Sequence, residues 1–433
     1  MGSDTSVAAH GDSNDRQKDR LIRKTLFTQR AMSDLHQNPD AMEPMMPTYG
    51  DVELGEKTAS ILRTAGALFG RLPVVTAESI AEILRLTNCY YSNLIEGHTT
   101  HPADIERAMQ KDFSREPRKK NLQIEARAHI EVQRAMERRL ATDTSLNVFS
   151  KEFLCWLHHE FYQNLPLDFR TVTNPKTGKV LTVEPGTFRT DEVTVGLHLA
   201  PAANTLDSFL DRFTEVYSNP RITASRRLVV MAAAHHRLAW IHPFLDGNGR
   251  VIRLFADALA IRNEIHGQGL WTISRGLART KDDYYGRLNN ADRERENDLD
   301  GRGHLSDRGL FEFCAYYLDQ ALDQMKFMHG LIRPGSLERQ IEIFVETRDL
   351  FGRHKEPAIR LLKEAVTQGE FARGQASAIT GKSESNARII LKEVIDAELL
   401  VSETEKGKVR LALPTKVLDV YFPGLFPLIQ AAS

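Results

Sequence analysis

The 433-residue chain is poor in cysteine and carries no surplus of charge of either sign. Its three cysteines lie far apart and show no metal-ligand spacing, which argues against a disulfide framework or a zinc site. The 57 basic residues are balanced by 58 acidic ones, so no global field attracts nucleic acid or an anionic membrane. No apolar run is long enough to span a bilayer. We therefore expect a cytoplasmic protein without a membrane partner.

The length and composition predict a globular protein of more than one domain. The chain is 41% hydrophobic and 27% charged, and most of its apolar residues recur at helical spacing, which predicts a mainly α fold. We predict a flexible N-terminal arm over 1–45 and a helical region over 46–140. A core over 141–335 and a winged-helix domain with a tail over 336–433 complete the expected organisation.

One stretch, IHPFLDGNGRVIRL, combines several features of an anion site. Gly247, Asn248 and Gly249 allow the backbone to bend so that successive N–H groups point into one concavity. Apolar residues at helical spacing follow, so the concavity is expected at a helix N-terminus, which attracts phosphate. Arg250 and Arg253 are three residues apart and can lean toward the same anion.

Two further side chains in this stretch supply what a transfer reaction needs. His242 comes just before the concavity, where an imidazole can take a proton from an attacking hydroxyl. Asp246 would repel a phosphate, so we interpret it as a ligand of a Mg²⁺ ion that bridges two phosphate groups. The combination indicates nucleotidyl or phosphoryl transfer.

With this stretch the chain resembles the Fic family. The resemblance implies a mostly helical fold that transfers AMP from Mg²⁺–ATP to a hydroxyl of a target protein. It assigns His242 as the base, Asp246 as the metal ligand, the glycine loop as the anion hole and both arginines as phosphate clamps. Phosphorylating relatives carry lysine where this chain has Gly249, so AMP transfer is favoured. The pattern H-P-F-x-D-G-N-G-R-x-x-R is matched at His242, Pro243, Phe244, Asp246, Gly247, Asn248, Gly249, Arg250 and Arg253.

A second motif lies upstream, at the end of a predicted helix. Ser92 and Glu96 are four residues apart on one helix face, and Gly97 follows as a natural helix stop. Taken alone, Glu96 reads as a solvated helix-end carboxylate. Within the resemblance, the pattern [ST]-x-x-x-E-[GN] implies an inhibitory motif, in which Glu96 pairs with Arg253 and occupies the place of the γ-phosphate.

Two β-prone segments, 180–183 and 193–195, interrupt the helical pattern and predict a β-hairpin. The resemblance implies a flap that aligns a target segment by strand addition near Thr187, Phe188 and Arg189. A purely structural hairpin remains the alternative.

The resemblance also points to two adjacent aromatic residues downstream. Tyr284 or Tyr285, in a Y-Y-x-x-L element, would flank the adenine, because an aromatic face stacks well on a base. The alternative is a tyrosine of the core.

Residues 357–413 read as three helices followed by two strands, which is typical of a winged helix. The segment carries nine basic and eight acidic residues, so it lacks the basic footprint of a DNA reader. DNA binding through these residues is weakly supported, and docking of a protein is an equal alternative.

Three functional readings remain. The first is an autoinhibited AMP transferase, which includes self-modification. The second is the reverse reaction at the same site, in which Glu96 positions a water molecule that removes AMP from a modified protein. The third is a DNA-binding regulator with a vestigial core, which the intact motif argues against. The target protein and assembly as a homo-oligomer stay open.

Overall fold

The computed structural model describes residues 37–173, 178–195 and 198–427, and these are mainly helical. The predicted arm lies outside the described residues as far as residue 36. The residues that follow are packed, because Ala41 and Met42 are buried and the Tyr217 hydroxyl donates to the Met45 carbonyl (2.6 Å). The arm boundary at residue 45 is therefore wrong, since this methionine-rich stretch contributes to the core.

The N-terminal helical region packs around a long helix that carries the upstream motif. A break at Pro117 divides the charged segment over 104–140 into two helices, and Ser150 caps the next one by accepting from the Phe153 N–H (3.2 Å). The long helix begins at Val74, directly after Pro73. The helices are α1 (Asp51–Leu68), α2 (Val74–Ile95), α3 (Pro102–Met109), α4 (Pro117–Thr142) and α5 (Lys151–Tyr162).

The core places two buried helices on either side of the glycine-containing loop. The first of them is buried along most of its length, and three successive alanines, 232–234, let neighbouring helices approach closely. The core helices are α6 (Leu206–Tyr217), α7 (Ala224–Ile241), α8 (Asn248–Arg262), α9 (Ile273–Arg279), α10 (Lys281–Ala291) and α11 (Asp307–Leu331).

The predicted hairpin is wrong in its pairing. Two separate antiparallel hairpins form instead, because the chain between the two segments is tied to another element, through the Arg189 N–H that donates to the Pro243 carbonyl. In the first hairpin Val172 lies opposite Leu181, and in the second Val195 lies opposite His198. The strands are β1 (Thr171–Thr173), β2 (Val180–Thr182), β3 (Thr194–Val195) and β4 (His198–Leu199).

The C-terminal segment has the helices and both strands expected of it, with one further strand. Its antiparallel sheet has the strand order β5 (Glu370–Phe371), β7 (Val409–Leu411) and β6 (Leu400–Val401). It packs on α2, where Arg410 donates to the Ser79 hydroxyl (3.2 Å) and the Tyr91 hydroxyl donates to the Leu425 carbonyl (2.9 Å). The elements are α12 (Pro334–Thr347), α13 (Lys355–Gln368), β5 (Glu370–Phe371), α14 (Ala376–Thr380), α15 (Glu384–Asp396), β6 (Leu400–Val401), β7 (Val409–Leu411) and α16 (Leu418–Tyr421).

Candidate active site

The loop between α7 and α8 is held in an unusual shape by groups outside it. His242 adopts the left-handed conformation, at φ 49° and ψ 60°, which non-glycine residues rarely adopt. The Arg189 guanidinium donates from Nε to the His242 carbonyl (2.8 Å), and the Arg189 backbone N–H donates to the Pro243 carbonyl (2.9 Å). A further guanidinium nitrogen donates to the Pro201 carbonyl (2.6 Å). The position of His242 therefore depends on Arg189.

The second half of the loop forms the start of α8. The Asn248 side chain accepts from the Phe244 N–H (2.9 Å) and donates to the Phe244 carbonyl (2.8 Å), so both ends of its amide are bonded within the loop. Gly247 has φ 79°, and a Cβ there would lie 2.5 Å from the Tyr162 ring. The first N–H groups of a helix have no intrahelical acceptor. The loop therefore presents a helix N-terminus suited to an anion.

The imidazole of His242 is kept neutral by its surroundings. Burial is the main cause that lowers its pKa to about 4, and the positive charges of His198 and Arg189 act in the same direction. A hydrogen bond with the Ala239 carbonyl and the negative charge of Glu96 oppose this shift only in part. At neutral pH the imidazole thus has a free lone pair with which to accept a proton.

We expect His242 to titrate near pH 4 in the folded protein. Because the folded pKa lies below the ordinary imidazole value of about 6.5, the ring stays neutral as the pH falls from 8 to about 5. Its Hε1 chemical shift, assigned by its loss in His242→Asn and followed by NMR against pH, measures this directly. A midpoint near 6.5 would contradict the burial described above.

Asp246 stands at the mouth of the loop with its carboxylate oriented by a hydrogen bond. The Tyr162 hydroxyl donates to Asp246 Oδ2 (2.8 Å), while the side chain remains 41% exposed. No cluster of three or more metal-ligating side chains occurs within 37–173, 178–195 and 198–427. A nucleotide-borne Mg²⁺ needs only one or two carboxylates, since phosphate and water supply its other ligands. A single exposed, oriented carboxylate fits that requirement.

Arg250 is paired with a carboxylate that the sequence did not reveal. Its guanidinium donates to Glu125 of α4, which is fully buried, and its centre lies 5.1 Å from the Phe161 ring centroid. The other Glu125 oxygen lies 2.8 Å from Nδ1 of His98. Burial lowers the pKa of Arg250 to about 10, which leaves it charged at neutral pH. Glu125 thus partly neutralises this arginine.

Arg253 is held by both residues of the upstream motif. Its Nε donates to the Ser92 hydroxyl (2.9 Å), and its Nη2 donates to the Ser92 carbonyl (3.1 Å) and to Glu96 Oε1 (2.6 Å). Burial alone would raise the pKa of Glu96, but the guanidinium groups of Arg253 and Arg250 hold it below its usual value. Glu96 is therefore ionised at neutral pH. The predicted contact between the two motifs is present in the structure.

The Glu96 carboxylate also fills the space beside the loop. A Cβ placed on Gly249 would overlap Glu96 Oε1 and approach Arg253 Nη1 to 3.0 Å. Glu96 therefore lies directly over the first turn of α8, where the anion is expected.

Only one of the two candidate tyrosines is open to a ligand. Tyr284 is buried, and its hydroxyl lies 2.9 Å from Nε2 of His235, so the proposed contact of Tyr284 with adenine is wrong. Tyr285 is 40% exposed, and its hydroxyl reaches the Ile95 carbonyl at 3.5 Å, next to Glu96. The successive residues differ because their side chains point about 100° apart on α10.

The three residues proposed for the flap divide in the same way. Thr187 is exposed, Phe188 is partly buried against Phe244 at 5.3 Å between ring centroids, and Arg189 is buried. Burial lowers the pKa of Arg189 to about 10, so it stays charged at neutral pH. Arg189 cannot contact a target from this position, and its assignment as a contact residue is wrong because the loop uses its donors.

Replacement of Arg189 by methionine is expected to reduce the rate of the reaction about 10- to 100-fold. The methionine keeps much of the volume but leaves the carbonyls of His242 and Pro201 without donors, so His242 loses its fixed position. A kcat measurement checks this. Lys179→Met, at an exposed lysine of the first hairpin, is the control. A normal kcat in Arg189→Met would contradict this role.

The fold and the site together define a mainly helical domain with a glycine-containing loop between two buried helices. Residues 148–260, which contain this loop, match the family model described as Fic/DOC family. This chain therefore contains a Fic domain.

Several relatives share the domain. "Protein adenylyltransferase Fic" from Drosophila erecta is 38% identical over 85 residues, and the protein of that name from Drosophila willistoni is 42% identical over 86. Each alignment spans 20% of this chain and only 17% of the fly protein.

Solved structures are also similar. A Fic family protein from Desulfovibrio desulfuricans G20 is 17% identical, with 82% of this chain and 96% of that chain covered and a TM-score of 0.48. Fic-1 from C. elegans is 16% identical, with 66% of this chain and 74% of that chain covered and a TM-score of 0.49.

Within the described ranges of this chain, no helix has the length and apolarity needed to cross a membrane.

Proposed function

We propose that this protein is a protein adenylyltransferase that is autoinhibited by Glu96. The observation that carries the proposal is the meeting of His242, Asp246 and Arg253 around the N-terminus of α8, with Glu96 bound to that arginine. The name of the fly relatives, which match this chain over its Fic domain, supports AMP transfer as the reaction.

In this proposal His242 acts as the general base. A hydroxyl of the target protein gives its proton to the imidazole, and its oxygen forms a bond with the α-phosphorus of ATP. The bond from that phosphorus to the bridging oxygen breaks, and pyrophosphate leaves. The backbone N–H groups at 247–249 and the arginines at 250 and 253 hold the phosphates. Mg²⁺ bound with the nucleotide would neutralise phosphate charge, and Asp246 is the residue that would hold it.

The inhibition is electrostatic and steric. Glu96 places a carboxylate over the first turn of α8 and accepts a hydrogen bond from Nη2 of the guanidinium that should bind the γ-phosphate. Ser92 accepts two hydrogen bonds from the same guanidinium, one from Nε to its hydroxyl and one to its carbonyl from Nη2, the nitrogen that Glu96 also binds. A polyphosphate that enters would meet a like charge and lose its partner, so its α-phosphorus would be misaligned for in-line attack.

The target protein would bind beside the hairpins. We propose that a target segment pairs with the flap near Thr187 and Phe188, and that Tyr285 contacts the adenine. Strand addition fixes the position of the hydroxyl through backbone bonds and reads little target sequence, which is compatible with self-modification.

We propose that the C-terminal segment is a winged-helix module that docks protein. Glu384 lies at the start of α15, and its carboxylate pairs with Arg388 at 3.6 Å, which reduces the positive charge available to DNA.

We propose a cytoplasmic location, because all three cysteines are free, as expected in a reducing compartment.

The reaction is tested with ATP labelled at the α- or the γ-phosphate, incubated with the Glu96→Gly variant alone and in a lysate. AMP transfer labels protein from the α-position only, while phosphate transfer labels it from the γ-position only. Label from neither nucleotide, in a variant that binds Mg²⁺–ATP, would contradict the proposal. Removal of AMP from a premodified protein in a Glu96-dependent manner would instead support the reverse reaction.

A further inference from the structure

The helix α1 exposes an apolar stripe that no other part of the described chain covers. Within 37–173, 178–195 and 198–427, five of the eleven exposed large hydrophobic side chains lie between residues 49 and 74. Three of them belong to the stripe: Val52 (79% exposed), Leu62 (43%) and Phe69 (46%). We call this stripe the α1 seam, and it consists of Val52, Gly55, Ala59, Leu62, Gly66 and Phe69.

The spacing of the seam is that of a helix-pairing surface. Its members are separated by 3, 4, 3, 4 and 3 residues, which is the a/d pattern by which two helices interdigitate. A Cβ added at Gly55 or Gly66 would have no neighbouring atom within 4 Å, so no contact in the described chain requires glycine there. Glycine inside a helix is less favourable than alanine, but it lets a second helix approach closely.

The seam is complementary to itself when two copies run in opposite directions. A twofold axis through the middle of α1 brings Val52 of one copy to Phe69 of the other and Gly55 to Gly66. It also brings Ala59 to Leu62, so a small residue faces a large one. This isologous pairing closes after two copies.

The charges beside the seam select the antiparallel direction. Glu56 and Arg63 are exposed on the same flank, seven residues apart, and neither has an ion-pair partner among the described residues. In the antiparallel arrangement Glu56 of each copy faces Arg63 of the other. In a parallel arrangement Glu56 would face Asp51 of the other copy, whose carboxylate already pairs with Arg226, so Glu56 would gain no cationic partner.

We propose that the α1 seam binds a second copy of this chain in an antiparallel twofold dimer. This inference does not depend on the proposed function, because it concerns a surface separate from the loop at 242–249.

The dimer is tested by sedimentation velocity on the full chain over a range of concentrations. The wild type is expected to show twice the monomer mass, and Leu62→Glu to sediment as a monomer, since it places a charge in the centre of the seam. Leu299→Glu, which changes a 93% exposed leucine elsewhere, should leave the dimer intact.

An exchange of the charges at Glu56 and Arg63 tests whether the two α1 helices run antiparallel. Glu56→Arg and Arg63→Glu should each raise the dissociation constant about 10-fold, because each puts two like-charged pairs across the axis. The double variant restores both pairs and should return the constant to within about 3-fold of the wild type. A wild-type monomer at all concentrations, a dimer unaffected by Leu62→Glu, or a double variant no tighter than the single variants would each overturn the proposal.

Discussion

Replacing Glu96 by glycine is expected to raise the rate of AMP transfer about 100-fold. The substitution removes the carboxylate that binds Arg253 Nη2 at 2.6 Å and frees this guanidinium for the γ-phosphate. Glu96 directly follows the last residue of α2, at φ −77° and ψ 0°, so glycine fits there without strain. The measurement is the initial rate of label transfer from α-labelled ATP by the wild type and the variant at equal concentration.

A matched control separates this effect from a loosened helix end. Gln110 directly follows α3 in nearly the same conformation, at φ −85° and ψ 4°, and its side chain is exposed. Gln110→Gly should leave the rate at the wild-type level. Arg253→Ala combined with Glu96→Gly should stay inactive, because the guanidinium that should bind the γ-phosphate is then absent. Equal rates in wild type and Glu96→Gly would contradict the inhibitory role.

The second large effect is expected at the base. In the Glu96→Gly background, His242→Asn should lower the rate by about 10³-fold, because the side-chain amide does not accept a proton from the target hydroxyl. Asparagine is the appropriate replacement, since residue 242 is in the left-handed conformation that asparagine tolerates better than alanine. Single-turnover transfer with α-labelled ATP measures the change.

The loss should appear in the chemical step and not in binding. The affinity for Mg²⁺–ATP, measured by calorimetry, should change less than about 3-fold, because the backbone N–H groups and arginines that hold phosphate are untouched. His304→Asn, at an exposed histidine, serves as the control. A His242→Asn variant that retains more than about a tenth of the rate would show that another group takes the proton.

The local parts of the site could be predicted from the sequence. The glycine loop at the start of a helix and the contact of Glu96 with Arg253 are both present. These features follow from short-range rules or from a motif whose partners are fixed by the resemblance. The sequence did not predict which face of α10 is buried, so it could not distinguish Tyr284, which is buried, from Tyr285, which is exposed.

The partners that lie far apart in the chain could not be predicted. Glu125 lies on α4, which is rich in charged residues, yet it is fully buried against Arg250, 125 positions away. The resemblance assigned Arg189 to the flap, but its side chain donates to the loop at His242. A buried ion pair is not visible in periodicity, because periodicity records only which positions are apolar.

Strand pairing failed for a related reason. The β-prone segments beside 185–189 carry no signal for register, and each pairs with a neighbour on its outer side. Val180 to Thr182 pairs backward with β1, whereas Thr194 and Val195 pair forward with β4. Turn residues on both sides made several hairpins equally compatible with the sequence.

The central claim is that a nucleotide lies on the first turn of α8 with its α-phosphorus next to His242. A crystal structure of the Glu96→Gly variant soaked with Mg²⁺ and a non-hydrolysable ATP analogue tests it most directly. We expect phosphate oxygens within hydrogen-bond distance of the backbone N–H groups at 247–249, the γ-phosphate on Arg253, and the imidazole facing the α-phosphorus. An empty loop, or a bound analogue with His242 turned away from it, would contradict the account.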